Sequence, residues 1–202
     1  MKLLVATANR AKLAELEALL AALPVQVLSL TDFPDAPHVV EDGSTLEENA
    51  AKKAAETARA CAVHAVADDS GLFVDALDGR PGVRSARYAG PDPTPAKLCG
   101  KLLEEMADVP ECRRGARFRC CIALADPDGE ILLRAEGRCD GVIAREMRGE
   151  GGFGYDPVFI YGGAERTFAE MRPEQKNAVS HRGRALAAFR RRLKDLLTGG
   201  AA

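Results

Sequence analysis

The chain has 202 residues, a length typical of one domain or of one domain with two lobes. Hydrophobic residues make up 47% and charged residues 29%, which is the composition of a folded protein and excludes disorder as the main state. The formal net charge of −2 supplies no broad positive field for duplex nucleic acid, so that phosphates, if bound, bind at a local site.

The sequence also lacks the signals of a membrane or exported protein. It has no run of about 18 apolar residues, and Met1–Thr7 lacks the apolar core of a signal peptide. The six cysteines have no CxxC spacing, and three scattered histidines disfavour a zinc site. We therefore expect a cytoplasmic protein with reduced thiols, no membrane contact and no direct nucleic-acid binding.

Strands and helices alternate in the first third of the chain. An apolar strand is predicted at Lys2–Ala6, followed by a helix that ends before Pro24. A strand at Val25–Leu30, a helix near Leu46–Ala62 and a strand at Ala65–Asp68 follow. This order favours an α/β protein with parallel strand pairing.

The rest of the chain has a different pattern. A helix at Ala96–Met106 precedes a β-hairpin of Ala116–Ala125 and Glu130–Cys139; a strand at Val158–Tyr161 and a helix from Ser180 to about Leu197 follow. We predict an α/β fold: a mixed β-sheet with flanking helices, a second lobe built on the long β-hairpin, and an active-site cleft between the lobes. Residues 1–198 are expected to form one two-lobed domain, and 199–202 a frayed tail.

The first strand-to-helix junction, Thr7–Lys12, is a candidate phosphate site. A helix N-terminus offers free N–H groups and partial positive charge, and Lys12 adds a full charge. Taken alone, such a segment is more often an ordinary N-cap.

Lys53 lies beside the inward stripe of the helix near Leu46–Ala62. A cation near a buried face is costly unless an anion meets it. The residue patterns do not decide whether this anion is a carboxylate of the protein or a phosphate of a ligand.

Acidic residues follow the third predicted strand. The segment Asp68–Gly71 stands at the expected strand end, with Glu41 and Asp42 in the preceding loop. These are the hard oxygen donors that Mg²⁺ prefers. Adjacent strand residues face opposite sides, so one aspartate is expected to face the site and the other to support it. A turn with aspartate caps is the alternative.

The glycine-dense loop Gly149–Pro157 contains an aromatic residue. Glycines let a flat ligand approach the backbone, so Phe153 is a candidate for stacking on a base, or alternatively a core residue. Arg182 lies on the apolar face of the closing helix, and His181 and Arg182 are donors at its start, a pair that is more often structural.

Taken together, these segments resemble the inosine/xanthosine triphosphate pyrophosphatases. The resemblance covers nearly the whole chain, and its six ordered motifs are more specific than any one of them. The motifs are Thr7-x-Asn9-x-x-Lys12, Glu41-x-Gly43-x-Thr45-x-x-Glu48-Asn49-Ala50, Ala67-Asp68-Asp69-Ser70-Gly71-Leu72, Pro81-Gly82-Val83-x-Ser85-Ala86-Arg87-Tyr88, Gly152-Phe153-Gly154-Tyr155-Asp156-Pro157 and Lys176-Asn177-x-x-Ser180-His181-Arg182.

The resemblance implies a role for each matching residue. Asp69 and Lys53 are implied as catalytic, with Asp69 as general base, and Glu41 and Asp69 as ligands of Mg²⁺. The implied substrate-binding residues are Thr7, Ala8, Asn9, Arg10, Ala11, Lys12, Ser70, Phe153, Gly154, Tyr155, Asp156, Lys176, His181 and Arg182. Two positions depart from the family pattern: Ala8 replaces a glycine, and Gln175 stands where an acidic residue is common.

The implied activity is hydrolysis of ITP, dITP and XTP to the nucleoside monophosphate and pyrophosphate, which keeps deaminated purines out of DNA and RNA. The implied assembly is a homodimer. The alternatives are a pyrophosphatase for other modified nucleotides and a nucleotide-binding module that does not hydrolyse its ligand.

Overall fold

The computed structural model describes residues 1–91 and 93–199, apart from the side chain of Ala11. Most of the predicted tail, residues 200–202, therefore lies outside the described residues. The helices and strands of the described chain are β1 (Lys2–Val5), α1 (Arg10–Leu20), β2 (Gln26–Ser29), α2 (Leu46–Cys61), β3 (His64–Val74), α3 (Pro95–Glu105), β4 (Gly115–Ala125), β5 (Ile131–Ile143), β6 (Phe159–Tyr161), α4 (Pro173–Val179) and α5 (His181–Leu197).

The six strands form one mixed sheet in the order β2-β1-β3-β4-β5-β6. Strand β1 pairs in parallel with β2 and β3, so that Leu3 lies opposite Val27 and His64. Strands β5 and β6 pair antiparallel. Leu3, Leu4 and Val5 are all buried, as expected for a parallel strand covered on both faces. The predicted α/β class with a mixed sheet is confirmed.

Strand β3 is longer than the sequence predicts. The prediction ends it at Asp68, whereas the strand continues to Val74 because Leu72 and Val74 are buried core residues. Gly71 is not a turn residue: a Cβ there would overlap the carbonyl oxygen of Gly82. The placement of Asp68–Gly71 at a strand end is therefore wrong, since the segment lies in the middle of a strand.

The described chain forms two compact units. Unit 1 contains Met1–Asp69, Cys120–Gly137 and the chain from Ala185 onward, and unit 2 contains Ser70–Arg119 and Arg138–Arg184. The predicted hairpin contributes its turn end to unit 1 and its open end to unit 2, because β4 and β5 each pass through both units.

Each unit has its own apolar core. In unit 1, α5 packs Leu186, Phe189 and Leu193 inward at helical spacing against Leu3 and Val66. The core of unit 2 is built around three aromatic rings. Phe118 and Phe159 have ring centroids 4.7 Å apart, and Phe159 and Phe168 5.0 Å apart. No helix within residues 1–91 and 93–199 is long and apolar enough to cross a membrane.

Helix α4 is absent from the sequence prediction. Its seven residues are mostly polar and too few to show an apolar period. The predicted start of α5 after Ser180 is confirmed, since the Ser180 hydroxyl accepts a hydrogen bond from the Gly183 amide at 3.0 Å.

Arg114 is a fully buried cation in unit 2, 1% exposed. Its guanidinium donates to the carbonyl oxygens of Ile143 (2.8 Å), Met106 (2.9 Å), Ala144 (2.8 Å) and Val109 (3.2 Å). Burial lowers its pKa, but the four carbonyl dipoles compensate the charge. One side chain thus joins the end of α3 to the end of β5.

Arg114→Met is expected to lower the free energy of unfolding by about 3 kcal/mol, because three of the hydrogen bonds are buried and each contributes about 1 kcal/mol. Urea denaturation measures the change. Arg145→Met is the control: Arg145 is paired with exposed Glu111 and should change stability by less than about 1 kcal/mol. Equal losses in the two variants would contradict this role of Arg114.

Candidate functional site

Two ion pairs join the predicted lysines and carboxylates in unit 1. Lys12 donates to Asp68 Oδ2 at 2.7 Å, and the Asp68 side chain is only 4% exposed. Lys53 donates to Glu41 Oε1 and to the backbone carbonyl of Asp68, the latter at 2.8 Å. In the structure the anion beside Lys53 is thus a carboxylate of the protein. The lysines and carboxylates form one charged network.

The second aspartate is held by a residue whose role the sequence did not reveal. The Asn49 side-chain amide donates from Nδ2 to Asp69 Oδ2 at 2.9 Å, and its Oδ1 accepts from the Gly43 amide at 2.8 Å. Asn49 is 1% exposed and Asp69 is 9% exposed. Asn49 is a buried residue of α2, and its partner lies 20 residues along the chain, which a local sequence pattern does not reveal.

The Thr7–Lys12 junction is a solvent-facing helix start. The Thr7 hydroxyl accepts from the Asn9 amide at 3.2 Å, and Asn9 Oδ1 accepts from the Lys12 amide at 3.3 Å. Ala8 and Arg10 are exposed, and Arg10 and Ala11 begin α1. In the described chain, only Ala62 and Asp78 combine a side chain with positive φ, so Ala8 needs no glycine-like conformation.

A separate cluster in unit 2 surrounds Asp156. This buried carboxylate accepts from the Phe153 amide at 2.7 Å and from Lys176 Nζ at 2.6 Å. Lys176 Nζ lies 4.5 Å from the centroid of the Phe153 ring, a cation–π distance. Gly152 has φ +75°, and a Cβ there would overlap the Asp156 carboxylate.

Phe153 is 42% exposed, so the alternative that it fills the core is wrong. Its neighbour Tyr155 is the core residue instead: it is 3% exposed, and its hydroxyl donates to the carbonyl of Ser85 at 2.9 Å. Burial raises the pKa of Tyr155. Gly154 has φ +60° and accepts from the Cys99 thiol at 3.4 Å. The Tyr155 side chain therefore points into the core. Of this residue, only the backbone is left for the substrate contact that the resemblance implies.

The start of α5 carries the two predicted donors. His181 and Arg182 are buried, at 5% and 4% exposure, and the His181 ring stacks on Phe118 at 4.5 Å. A Cβ on Gly183 would overlap the carbonyl of Asn177, so glycine permits α4 to end against α5. Ser70 is half-buried in β3.

A third group of potential ligands appears in unit 1 without a sequence prediction. Oxygen and sulfur atoms of Glu47, Cys121 and Glu136 all lie within 4.8 Å of one another. Burial raises the pKa of the Cys121 thiol, and the two glutamates raise it further, so the thiol is protonated at neutral pH and hydrogen-bonds Glu47. Cys120 and Cys121 are both buried, and neither forms a disulfide in the structure.

The lysine–carboxylate pairs of unit 1 and the exposed Phe153 ring beside Lys176 in unit 2 are groups that can contact phosphates and stack on a base. The comparisons with known proteins agree. The family model described as Ham1 family matches residues 3–192. The chain therefore belongs to the Ham1 family, and the resemblance seen in the sequence is confirmed.

Individual relatives match nearly the whole chain. A dITP/XTP pyrophosphatase of Geobacillus kaustophilus is 50% identical and covers 98% of this chain and 97% of its own length. Another, of Geobacter sulfurreducens, is 53% identical and covers 94% of each chain. The structure of a HAM1 protein from Coxiella burnetii superposes with a TM-score of 0.90 at 42% identity, covering 96% of this chain and 99% of that one.

The Asp156–Lys176 pair is expected to be strongly coupled, because its side chains are only 3% and 13% exposed. Asp156→Asn should lower the free energy of unfolding by about 3 kcal/mol by leaving a buried ammonium without its carboxylate. In a double-mutant cycle with Lys176→Met, the losses should fall short of additivity by more than about 1 kcal/mol.

The Arg138–Asp140 pair of the same unit, about 60% exposed at both ends, serves as the control and should couple by less than about 1 kcal/mol. Urea denaturation measures both cycles. Additive losses at Asp156 and Lys176 would show that the buried contact is energetically irrelevant.

Proposed function

We propose that the protein hydrolyses deaminated purine nucleoside triphosphates (ITP, dITP and XTP) to the nucleoside monophosphate and pyrophosphate. The observation that carries this function is the 50–53% identity, over nearly the full chain, to proteins named dITP/XTP pyrophosphatase. It confirms the enzyme class predicted from the sequence. We further propose roles for individual residues, a metal ion and an assembly.

The charged network of unit 1 suits a triphosphate. Lys12 and Lys53 are paired with Asp68 and Glu41 and are only 20% and 18% exposed, so their ammonium groups are already partly desolvated. An incoming triphosphate offers denser negative charge than a single carboxylate. We propose that both lysines exchange their carboxylate partners for phosphate oxygens, and that residues 7–12 contribute backbone amides.

When Lys53 moves to a phosphate, the Glu41 carboxylate is released and can bind a metal cation in its place. Glu41 and Asp69 both offer carboxylate oxygens, the ligand type that Mg²⁺ prefers. Glu41 and Asp69 would hold the ion. When bound, Mg²⁺ supplies charge neutralisation on the phosphates.

The chain's own groups account for the rest of the chemistry. A water oxygen bonds to the α-phosphorus while the bond from that phosphorus to the bridging oxygen of the β-phosphate breaks, and the water proton passes to Asp69. Lys12 and Lys53 stabilise the negative charge on the departing pyrophosphate. Ser70, next to Asp69 in β3, is proposed to donate to a phosphate oxygen.

Base selection is assigned to unit 2. The exposed Phe153 ring offers a stacking surface, and Lys176, His181 and Arg182 are donors suited to a 6-oxo purine. Adenine presents an amino donor and a bare N1 instead, two mismatches of about 1–3 kcal/mol each. Rejection of ATP by roughly 30-fold or more follows. The family resemblance further supports a cytoplasmic homodimer.

Turnover of ITP and XTP in Mg²⁺ is expected to release pyrophosphate and monophosphate in equal amounts, with ATP at least about 30-fold slower. Excess chelator should abolish turnover. Asp69→Asn should lower kcat by about 10²–10⁴-fold, because the proton acceptor is lost. Asp75→Asn, an exposed aspartate of unit 2, is the matched control and should leave kcat unchanged.

Anion-exchange chromatography of the products, together with a pyrophosphate assay, measures these outcomes. Release of orthophosphate and nucleoside diphosphate would refute the reaction type. Equal rates for ATP and ITP would refute the specificity.

A further inference from the structure

Asn49 is a buried amide whose two ends are both bonded. Nδ2 donates to Asp69 Oδ2 at 2.9 Å and Oδ1 accepts from the Gly43 amide at 2.8 Å, with 1% of the residue exposed. Water cannot replace either bond at such a position, so losing one leaves a buried polar group unsatisfied. The amide therefore fixes the direction of the Asp69 carboxylate with respect to α2.

The helix that carries Asn49 is anchored at its start. Thr45 caps α2 by accepting from the Glu48 amide at 3.1 Å, and Glu48 accepts from the Ser44 amide and hydroxyl, each at 2.8 Å. These bonds lower the pKa of Glu48 and keep it ionised. Asn49, one residue further, thus projects from a helix turn with little freedom to shift.

The second bond of Asn49 ties down the loop that carries Glu41. Gly43 follows Glu41 by two residues, and a Cβ on Gly43 would lie 2.7 Å from Asn49 Oδ1 and 2.9 Å from Glu48 Cβ. Glycine is thus required for the loop to approach the amide this closely. One side chain links the loop of Glu41 to the strand of Asp69.

We propose that Asn49 is a positioning residue for the hydrolysis: it orients Asp69 and sets the loop of Glu41 relative to it, without touching the substrate. This inference rests on the proposed function, because it assigns Asp69 to the chemistry. A misplacement of about 1 Å in a catalytic group costs about 10²-fold in rate, so a positioning residue is visible in kcat.

Two substitutions separate positioning from anchoring of the loop. Asn49→Asp keeps the size and an oxygen acceptor for the Gly43 amide but points a second carboxylate oxygen at Asp69. Gly43→Ala leaves the Asn49 side chain chemically unchanged but displaces it, because the added Cβ would lie too close to Asn49 Oδ1. Thr57→Val, at another buried polar position of α2, is the control for a change of polarity inside this helix.

Asn49→Asp is expected to lower kcat for ITP by about 10²-fold or more. The Kd of a non-hydrolysable ITP analogue, measured by calorimetry, should stay within about threefold. Gly43→Ala should also lower kcat, whereas the control Thr57→Val should lower kcat by less than threefold. Urea denaturation confirms that each variant is folded at the assay temperature.

The double variant Asn49→Asp with Asp69→Asn provides, in its kcat, a readout that a merely structural role would not produce. It restores an amide–carboxylate hydrogen bond with the partners exchanged, so the midpoint of urea unfolding should recover relative to Asn49→Asp alone. Its kcat should equal that of Asp69→Asn alone, because Asn49 acts through Asp69.

The outcomes that overturn the inference are distinct from a failure of the function. If the parent enzyme hydrolyses ITP and Asn49→Asp matches Thr57→Val in kcat, Asn49 does not position Asp69. Multiplicative losses in the double variant would show an independent structural effect. A parent enzyme that does not hydrolyse ITP would overturn both the function and this inference.

Discussion

Buried carboxylates need cations, and this requirement organises the candidate site. Asp68 is buried in the middle of β3 and is balanced by Lys12, while the partly buried Glu41, 29% exposed, is balanced by Lys53. Separating Asp68 from Lys12 without another partner would be the more costly of the two changes, because Asp68 is almost fully shielded from water. The two pairs fix the positions of the lysines, and the proposed exchange of carboxylates for triphosphate oxygens starts from this arrangement.

Much of the fold follows from local patterns. The alternation of β1, α1 and β2, the end of α1 before Pro24 and the start of α2 at Leu46 depend on neighbouring residues, which explains why their predicted positions hold within a few residues. The predicted strand at Ala65–Asp68 is shorter than β3 because the apolar run is interrupted by Asp68, Asp69, Ser70 and Gly71. The reason for that glycine is the backbone of Gly82, a contact eleven residues along the chain.

The site was predictable in its residue types but only partly in its contacts. The six motifs identify the lysines, the carboxylates and Phe153, whose exposure the structure establishes. The partner of Lys53 and the role of Asn49 depend on side chains brought together by folding, over 12 and 20 residues of chain. Tyr155 belongs to one of the motifs, but the motif does not reveal that its hydroxyl donates a hydrogen bond to the carbonyl of Ser85 in the core.

We propose above all that Lys12 and Lys53 exchange carboxylates for phosphates. A crystal structure with a non-hydrolysable ITP analogue and Mg²⁺ tests this exchange directly. Both ammonium groups are expected within about 3 Å of phosphate oxygens, with the carboxylates of Glu41 and Asp69 bound to the ion. Lysines that remain on Asp68 and Glu41 while the triphosphate lies elsewhere would contradict it.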